Sequence, residues 1–334
     1  MATAVNISEI EIKDLVNRLA TLKAEIQKII VGQDEIIEQI VIALMAGGHC
    51  LLEGVPGLAK TLLVRTMAQA MDLPFRRIQF TPDLMPADII GTEILEEDED
   101  SGKRFFKFIP GPLFANLILA DEINRTPPKT QSALLEAMQE FEVTYAGKTY
   151  PLDKPFFILA TQNPIEQAGT YPLPEAQLDR FLLYIKIGYP SSEEEVRILK
   201  STTGSKKTKI EPIINGKAIL LLQQLVREVE ISDQLIAYVS EFIRATRPLT
   251  TDVDYVKEWV QWGAGPRAGQ ALILTAKARA LFHGRFAVIP EDIHSMAYPA
   301  LRHRVLMNFK AASEQVTSDD LTGELIKILQ KRFL

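Results

Sequence analysis

A single cysteine, Cys50, stands in 334 residues. No disulfide framework can form within such a chain, which suits a reducing compartment. Long apolar runs are missing too. The most apolar stretch, residues 40–52, is too short to span a bilayer and contains Gly47, Gly48 and His49. No basic leader precedes an apolar segment; Glu9, Glu11, Lys13 and Asp14 occupy the start instead. A cytoplasmic protein without direct membrane insertion is therefore expected. There is no surplus of basic charge: 37 Lys and Arg face 43 Asp and Glu, a net charge of −6. A nucleic-acid binder usually carries the opposite balance, so no nucleic-acid partner is expected. The four histidines, His49, His283, His294 and His303, share no metal-ligand spacing and read as structural. No Ser-His-Asp elbow, zincin motif, internal repeat or low-complexity tract occurs.

What the chain does contain begins at Gly54-Val55-Pro56-Gly57-Leu58-Ala59-Lys60-Thr61. The apolar Cys50-Leu51-Leu52 precedes it, and Leu62-Leu63-Val64 can continue as a helix. Strand, glycine-rich loop and helix in that order make an anion cradle of backbone N–H groups and a helix N-terminus. Lys60 can reach the outer phosphates of a nucleotide, and the Thr61 hydroxyl can sit on Mg²⁺. The general pattern wants Gly where this chain has Ala59. Alanine, the smallest residue with a Cβ, still allows a close backbone approach.

At 334 residues, about two domains are expected. The division falls near Pro190, giving 1–190 and 191–334. Helical spacing runs over residues 8–30 and 34–45. Short apolar strands at 49–53, 75–80, 117–120, 156–161 and 181–187 alternate with helices and loops, the pattern of a five-stranded parallel sheet covered on both faces. Segments 92–95 with 104–108, and 141–145 with 149–152, read as inserted β-hairpins; the acidic tip of the first, 96–100, also reads as a solvated turn. Ser192 is expected to open a helix through a capping box, and 201–212 to be an exposed loop. Beyond it the pattern is helical: Ser232 is an expected N-cap, Gly284 ends one helix, Pro290 begins another, and the last covers 318–331.

A second apolar strand, Leu117-Ile118-Leu119-Ala120, ends in Asp121-Glu122. At the carboxyl edge of a parallel sheet these acids lie beside the phosphate loop. Asp121 can hold Mg²⁺ through its water shell, and Glu122 can polarise an attacking water. The plainer alternative has the pair capping the next helix. Asn163, at the end of a further strand, can orient that water or touch the γ-phosphate; alternatively it is a turn residue before Pro164. No Asn-Lys-x-Asp guanine signature is present, which favours ATP over GTP.

The order of these motifs resembles the AAA+ ATPases. Their wording is similar to the MoxR family: residues 54–61, Ala120-Asp121-Glu122-Ile123-Asn124-Arg125-Thr126-Pro127-Pro128-Lys129, Ala160-Thr161-Gln162-Asn163-Pro164, residues 173–181 around Asp179-Arg180, and Gly265-Pro266-Arg267-Ala268. The resemblance runs from about residue 30 to about 310 and includes Ala59. It implies an α/β fold: a P-loop AAA+ core with inserted β-hairpins, followed by a C-terminal all-helical lid. ATP and Mg²⁺ are the implied cofactors, with Val31, Gly32 and Gln33 against adenine and residues 54–62, from Gly54 through Leu62, around the phosphates. Asn163 matches sensor 1, and Arg180 the arginine finger that reaches a neighbouring subunit's γ-phosphate. Arg180 could equally form a surface ion pair with Asp179 or Glu175. Arg267 matches sensor 2, implied to contact its own chain's phosphates. The hairpins match the helix-2 and pre-sensor-1 inserts. A homo-oligomeric ring, a hexamer, is implied. So is chaperone-like maturation of client proteins, including metal-cofactor insertion, with von Willebrand factor A domain partners. The stretch Thr81-Pro82-Asp83-Leu84-Met85-Pro86 lacks the aromatic-hydrophobic-glycine pore loop of threading unfoldases. Two rivals stand beside this reading: a nucleic-acid motor of a related branch, and a non-hydrolysing ATP-binding switch.

Overall fold

The five apolar runs form one parallel sheet in the computed structural model, which describes residues 9–98, 103–165, 169–204 and 208–333. Helices α1 (Glu9–Gln27) and α2 (Asp34–Met45) lead into β1 (Cys50–Glu53); α3 (Lys60–Ala70) leads into β2 (Phe75–Gln79). After α4 (Pro86–Ile90) the chain leaves the sheet as a hairpin, β3 (Gly91–Glu97) and β4 (Arg104–Pro110), and returns as β5 (Leu117–Asp121). Then come α5 (Pro128–Glu140), a second hairpin of β6 (Glu142–Tyr145) and β7 (Lys148–Pro151), β8 (Phe157–Gln162), the short α6 (Glu175–Leu178) and β9 (Leu183–Lys186). The remainder is helical: α7 (Ser192–Thr202), α8 (Gly216–Glu228), α9 (Asp233–Ala245), α10 (Asp254–Trp259), α11 (Pro266–Phe282), α12 (Pro290–Leu301), α13 (Phe309–Ser313) and α14 (Ser318–Phe333). A small antiparallel ribbon, β10 (Val260–Trp262) with β11 (Leu306–Met307), interrupts it. Residue 8 of the first expected helix, 99–100 of the acidic tip with residues 101–102 after it, and 205–207 of the expected loop lie outside the described residues. Among those described, no helix is long and apolar enough to cross a membrane.

The strand order is β2-β5-β8-β1-β9, parallel throughout. Side chains alternate across a strand, and this divides the core in two. Leu117, Leu119, Cys50 and Leu52 join one apolar cluster, which continues through α1, α2 and α3 into α8, α9, α11, α12 and α14. Ile118, Ala120 and Leu51 join the other, under α5. Burial on both faces is why β5 and β8 read as unbroken apolar runs. β2 lies at the sheet edge, and its exposed Arg76 and Arg77 discourage pairing with another chain.

Both hairpins fall where the sequence suggests. The second closes on Ala146-Gly147, both in the left-handed region at φ 49° and 77°, as a two-residue turn between right-twisted strands requires. The Phe108 ring of the first hairpin stacks on Tyr150 of the second, centroids 4.1 Å apart, so the inserts are coupled.

Two expectations need correction. The N-cap of α7 is Ser191, one residue earlier than Ser192: Ser191 Oγ accepts from the Glu194 amide (3.3 Å), and the Glu194 carboxylate accepts from the Ser191 amide (2.8 Å). Segment 201–212 is not simply an exposed loop. α7 runs through Thr202, Ile210 is buried, and just beyond it the Ile213 amide donates to the Ala70 carbonyl (2.8 Å). The stretch is polar apart from Ile210, and the core takes up that one apolar residue.

His49, just before β1, is wholly buried beside Phe141, Phe156 and Phe157. Its Nε2–H donates to the Met138 carbonyl (3.0 Å), and Nδ1 accepts from the Ile158 amide (3.1 Å). A second ring proton would meet that amide head-on. Burial therefore lowers its pKa from 6.5 to about 4. The unfolded chain takes up this proton near pH 6.5 and the native chain does not. The stability is thus fully present above pH 6.5 and is lost as pH falls toward 4, by roughly 3 kcal/mol. His303 is shifted the same way by its burial and by Arg304. Urea midpoints should drop steadily between pH 7 and 4.5, less so for His49→Gln; equal slopes for the two chains would show that His49 does not titrate on unfolding.

Candidate functional site

The loop after β1 starts where the sheet ends. The Gly54 amide donates to the Gln162 carbonyl at the end of β8 (3.3 Å), and Tyr184 on β9 donates its hydroxyl to the Glu53 carboxylate. Two left-handed residues turn the chain: Gly57 (φ 87°) and Ala59 (φ 55°, ψ 24°). For alanine this conformation costs about 1–2 kcal/mol, and such strain collects where function fixes the backbone. Ala59 caps α3 with no side-chain acceptor, so the first amides of the helix have no partner from the cap side chain. Lys60 Nζ donates to the Gly54 carbonyl, closing the loop across its base. Thr61 and Leu62 occupy the first turn of α3.

The 31–33 segment borders this loop. Gln33 Nε2 donates to the Leu58 carbonyl (3.2 Å), while Gln33 Oε1 is buried with no hydrogen-bond partner. Gly32, at φ 75°, lies so near the Glu194 carboxylate that a Cβ there would come within 2.3–2.7 Å of it. An unused acceptor beside a phosphate loop fits a base carrying an exocyclic amino group, such as adenine.

Asp121 is buried at the end of β5. Its Oδ1 accepts from the Thr161 hydroxyl (2.7 Å), and its Oδ2 from Arg77 Nε (3.0 Å) and Nη2 (2.7 Å). A carboxylate has about four acceptor positions, so metal-bound water can still be held. The Thr161 hydroxyl also accepts from the Glu122 amide (2.8 Å), locking the two acids together. Glu122 is left-handed (φ 59°, ψ 50°), and its Oε2 takes bonds from Gln79 (2.7 Å) and Arg125 (3.2 Å). Glu122 occupies the N-cap position of the 3₁₀ turn Ile123–Arg125, as the plainer alternative has it, but its side chain makes no cap bond there; α5 begins after Pro127. Asn163 is buried next to Gln162, and its Oδ1 accepts from the Ile165 amide (3.2 Å), the turn-type bond of the plainer alternative. Arg77, Gln79 and Thr161 were not singled out in the sequence. Arg77 and Gln79 read as solvated edge-strand residues, although the carboxyl end of β2 is where a parallel sheet places ligand contacts.

Arg180 and Arg267 are elsewhere. Leu182 donates to the His49 carbonyl (2.8 Å), and Leu183 pairs with Cys50, so the preceding residues 179–181 lie at the amino edge of the sheet. The phosphate loop follows the carboxyl edge. Four residues of strand, roughly 13 Å at 3.3 Å each, separate the two edges. Arg180 pairs with neither Asp179 nor Glu175; its Nη1 donates to the Leu135 carbonyl (3.0 Å). Asp179 is taken by Arg304 (2.7 Å) and Arg267 (3.6 Å). Arg267 thus stands beside the arginine-finger candidate. The implied contact with its own chain's phosphates does not fit this geometry, because the lid folds back against the segment ahead of β9.

Residues 49–183 match the family model described as "ATPase family associated with various cellular activities (AAA)", and residues 254–325 match "AAA lid domain". Chaperone MoxR1 of Mycobacterium tuberculosis is 44% identical over 304 residues, spanning 91% of this chain and 79% of that protein. YeaC of Bacillus subtilis is 42% identical, spanning 95% and 96%. Protein MoxR of Paracoccus denitrificans is 29% identical, spanning 89% and 91%. A crystal structure of a candidate ATPase from Cytophaga hutchinsonii superposes with a TM-score of 0.87 at 43% identity, covering 95% of this chain and 96% of that one.

Proposed function

The chain belongs to the MoxR family of AAA+ ATPases, and on that premise we propose that it hydrolyses ATP with Mg²⁺ at sites shared between subunits of a hexameric ring, using the cycle to remodel or mature client proteins. The observation that carries the shared site is the position of Arg180 and Arg267 at the sheet edge remote from their own phosphate loop. Within one chain, residues 54–62 wrap the phosphates, Lys60 neutralises the outer ones, and Val31, Gly32 and Gln33 receive adenine. Thr61 and Asp121 would hold Mg²⁺. Bound Mg²⁺ would neutralise charge on the phosphate oxygens. Glu122 takes the proton of the attacking water, and Asn163 orients that water. Arg180 and Arg267 of the adjoining subunit complete the site. Motion of the lid against the sheet would carry the coupled hairpins. The chaperone among the relatives supports a client-remodelling role; metal-cofactor insertion and von Willebrand factor A domain partners belong to the proposal, as does a cytoplasmic setting.

The test is turnover per chain against protein concentration, with Mg²⁺ present. The rate should be near zero in dilute monomer, rise steeply and then level off. A constant, full rate in samples shown by sedimentation to be monomeric would overturn the shared site.

A further inference from the structure

β2 runs parallel to β5 and pairs Arg77 with Leu119 and Gln79 with Asp121, so Arg77 and Gln79 share a face with the acid. Arg77 reaches along that face to the carboxyl edge. Both of its bonds to Asp121, from Nε (3.0 Å) and Nη2 (2.7 Å), end on one oxygen, Oδ2. A carboxylate oxygen offers about two acceptor positions, so Oδ2 is filled. The Thr161 hydroxyl takes one position on Oδ1 (2.7 Å). About one position is left for a metal-bound water.

Charge points the same way. Mg²⁺ is drawn to a carboxylate by its negative charge, and here a guanidinium already offsets that charge at hydrogen-bond distance. Two cations on one carboxylate repel each other. The two partners also differ in freedom. The Asp121 side chain is 10% exposed, whereas that of Arg77 is 46% exposed, on the edge strand of the sheet. Arg77 can therefore return to water without becoming a buried, unpaired cation. Asp121 has no such exit. Losing its guanidinium is strongly unfavourable unless another cation replaces it.

We propose that Arg77 competes with Mg²⁺ for Asp121 and thereby sets the metal concentration at which the site loads. The guanidinium holds Oδ2 in the metal-free site and swings out into solvent when the site takes up metal. This rests on the reading above that Asp121 holds Mg²⁺. It gives Arg77 a sign opposite to that of a positioning residue. An arginine that only aimed the acid would strengthen metal binding; a competing one weakens it.

Mn²⁺ stands in for Mg²⁺, takes the same kind of oxygen ligands, and can be counted by electron paramagnetic resonance. The full chain, with ADP bound, is titrated with Mn²⁺ as the parent and as three variants. Arg77→Gln should bind Mn²⁺ roughly five- to tenfold more tightly than the parent, the size of one charge-assisted competitor discounted for its exposure. Arg77→Met, likewise neutral, should shift the same way. Damage to the site would weaken metal binding, so a gain in affinity is a readout that a structural role does not produce. Equal or weaker Mn²⁺ binding by both neutral variants overturns the competition and leaves Asp121 as the metal's acid. Asp121→Asn should lose most of the parent's Mn²⁺ affinity. Parental affinity in that variant overturns the assignment of the metal to Asp121, and the competition with it.

Discussion

Arg180→Ala is expected to lower plateau ATP turnover by about 10³–10⁵-fold while nucleotide binding persists, as removal of an arginine finger does in other NTPases. Charge accumulates on the transferred phosphoryl group as its bond breaks, and a guanidinium placed there in a water-poor site stabilises that charge far more than it would in bulk solvent. The fold should tolerate the change. Arg180 is half-buried, and its bond to the Leu135 carbonyl is worth about 1 kcal/mol. Mixing separates catalytic loss from structural damage. Arg180→Ala chains keep an intact phosphate loop, and Lys60→Ala chains keep an intact arginine. Each should be inactive alone. In randomly mixed rings about a quarter of the interfaces would join a sound loop to a sound arginine, recovering activity of that order. No recovery on mixing, together with an unchanged melting temperature for each variant, would mean that Arg180 does not act across an interface. A nearly unaffected single variant would reduce it to an anchor on α5.

The sheet was legible because its strands are short and bounded by loops, and its central ones, β5, β8 and β1, are mostly apolar. The hairpins were legible because Gly147 and the alternation around it specify a turn. The phosphate loop and the acid pair could be read because their residues are contiguous. What could not be read depends on sequence-distant contacts. Thr161 joins the two acids from a neighbouring strand, and Gln79 and Arg77 reach them from the sheet edge. Each looks like an ordinary strand residue until the register is known. Arg267 is the clearest case. Its motif could be read, but its neighbour could not. Whether a lid helix faces its own phosphate loop or the segment ahead of β9 is decided by how the C-terminal helices pack on the cluster shared with α1 and α2. No local pattern encodes that choice.

Glu122→Gln should separate binding from hydrolysis more cleanly than any other single change. Glutamine has the same shape, and its carbonyl oxygen can still accept from Gln79 and Arg125 as Glu122 Oε2 does now. The left-handed backbone at φ 59° is held by the amide bond to Thr161 and stays as it is. Asp121, Thr61 and Lys60 are untouched, so ATP and Mg²⁺ affinity should change little. What disappears is the capacity to take a proton from water, and general-base catalysis contributes about 10²–10⁴-fold. A fluorescent ATP analogue should therefore bind with near-parental affinity while phosphate release falls by that factor. Undiminished turnover would remove Glu122 from the water-activating role and turn attention to the buried Asn163. Lost binding would instead mean that the Gln79–Glu122–Arg125 contacts support the loop itself, since the amide cannot reproduce a carboxylate's charge toward Arg125. The same variant bears on the ring. If the site is shared between subunits as proposed, a chain that holds ATP without consuming it should stay assembled at concentrations where the parent dissociates, because a bound γ-phosphate would give the adjoining Arg180 and Arg267 a lasting partner.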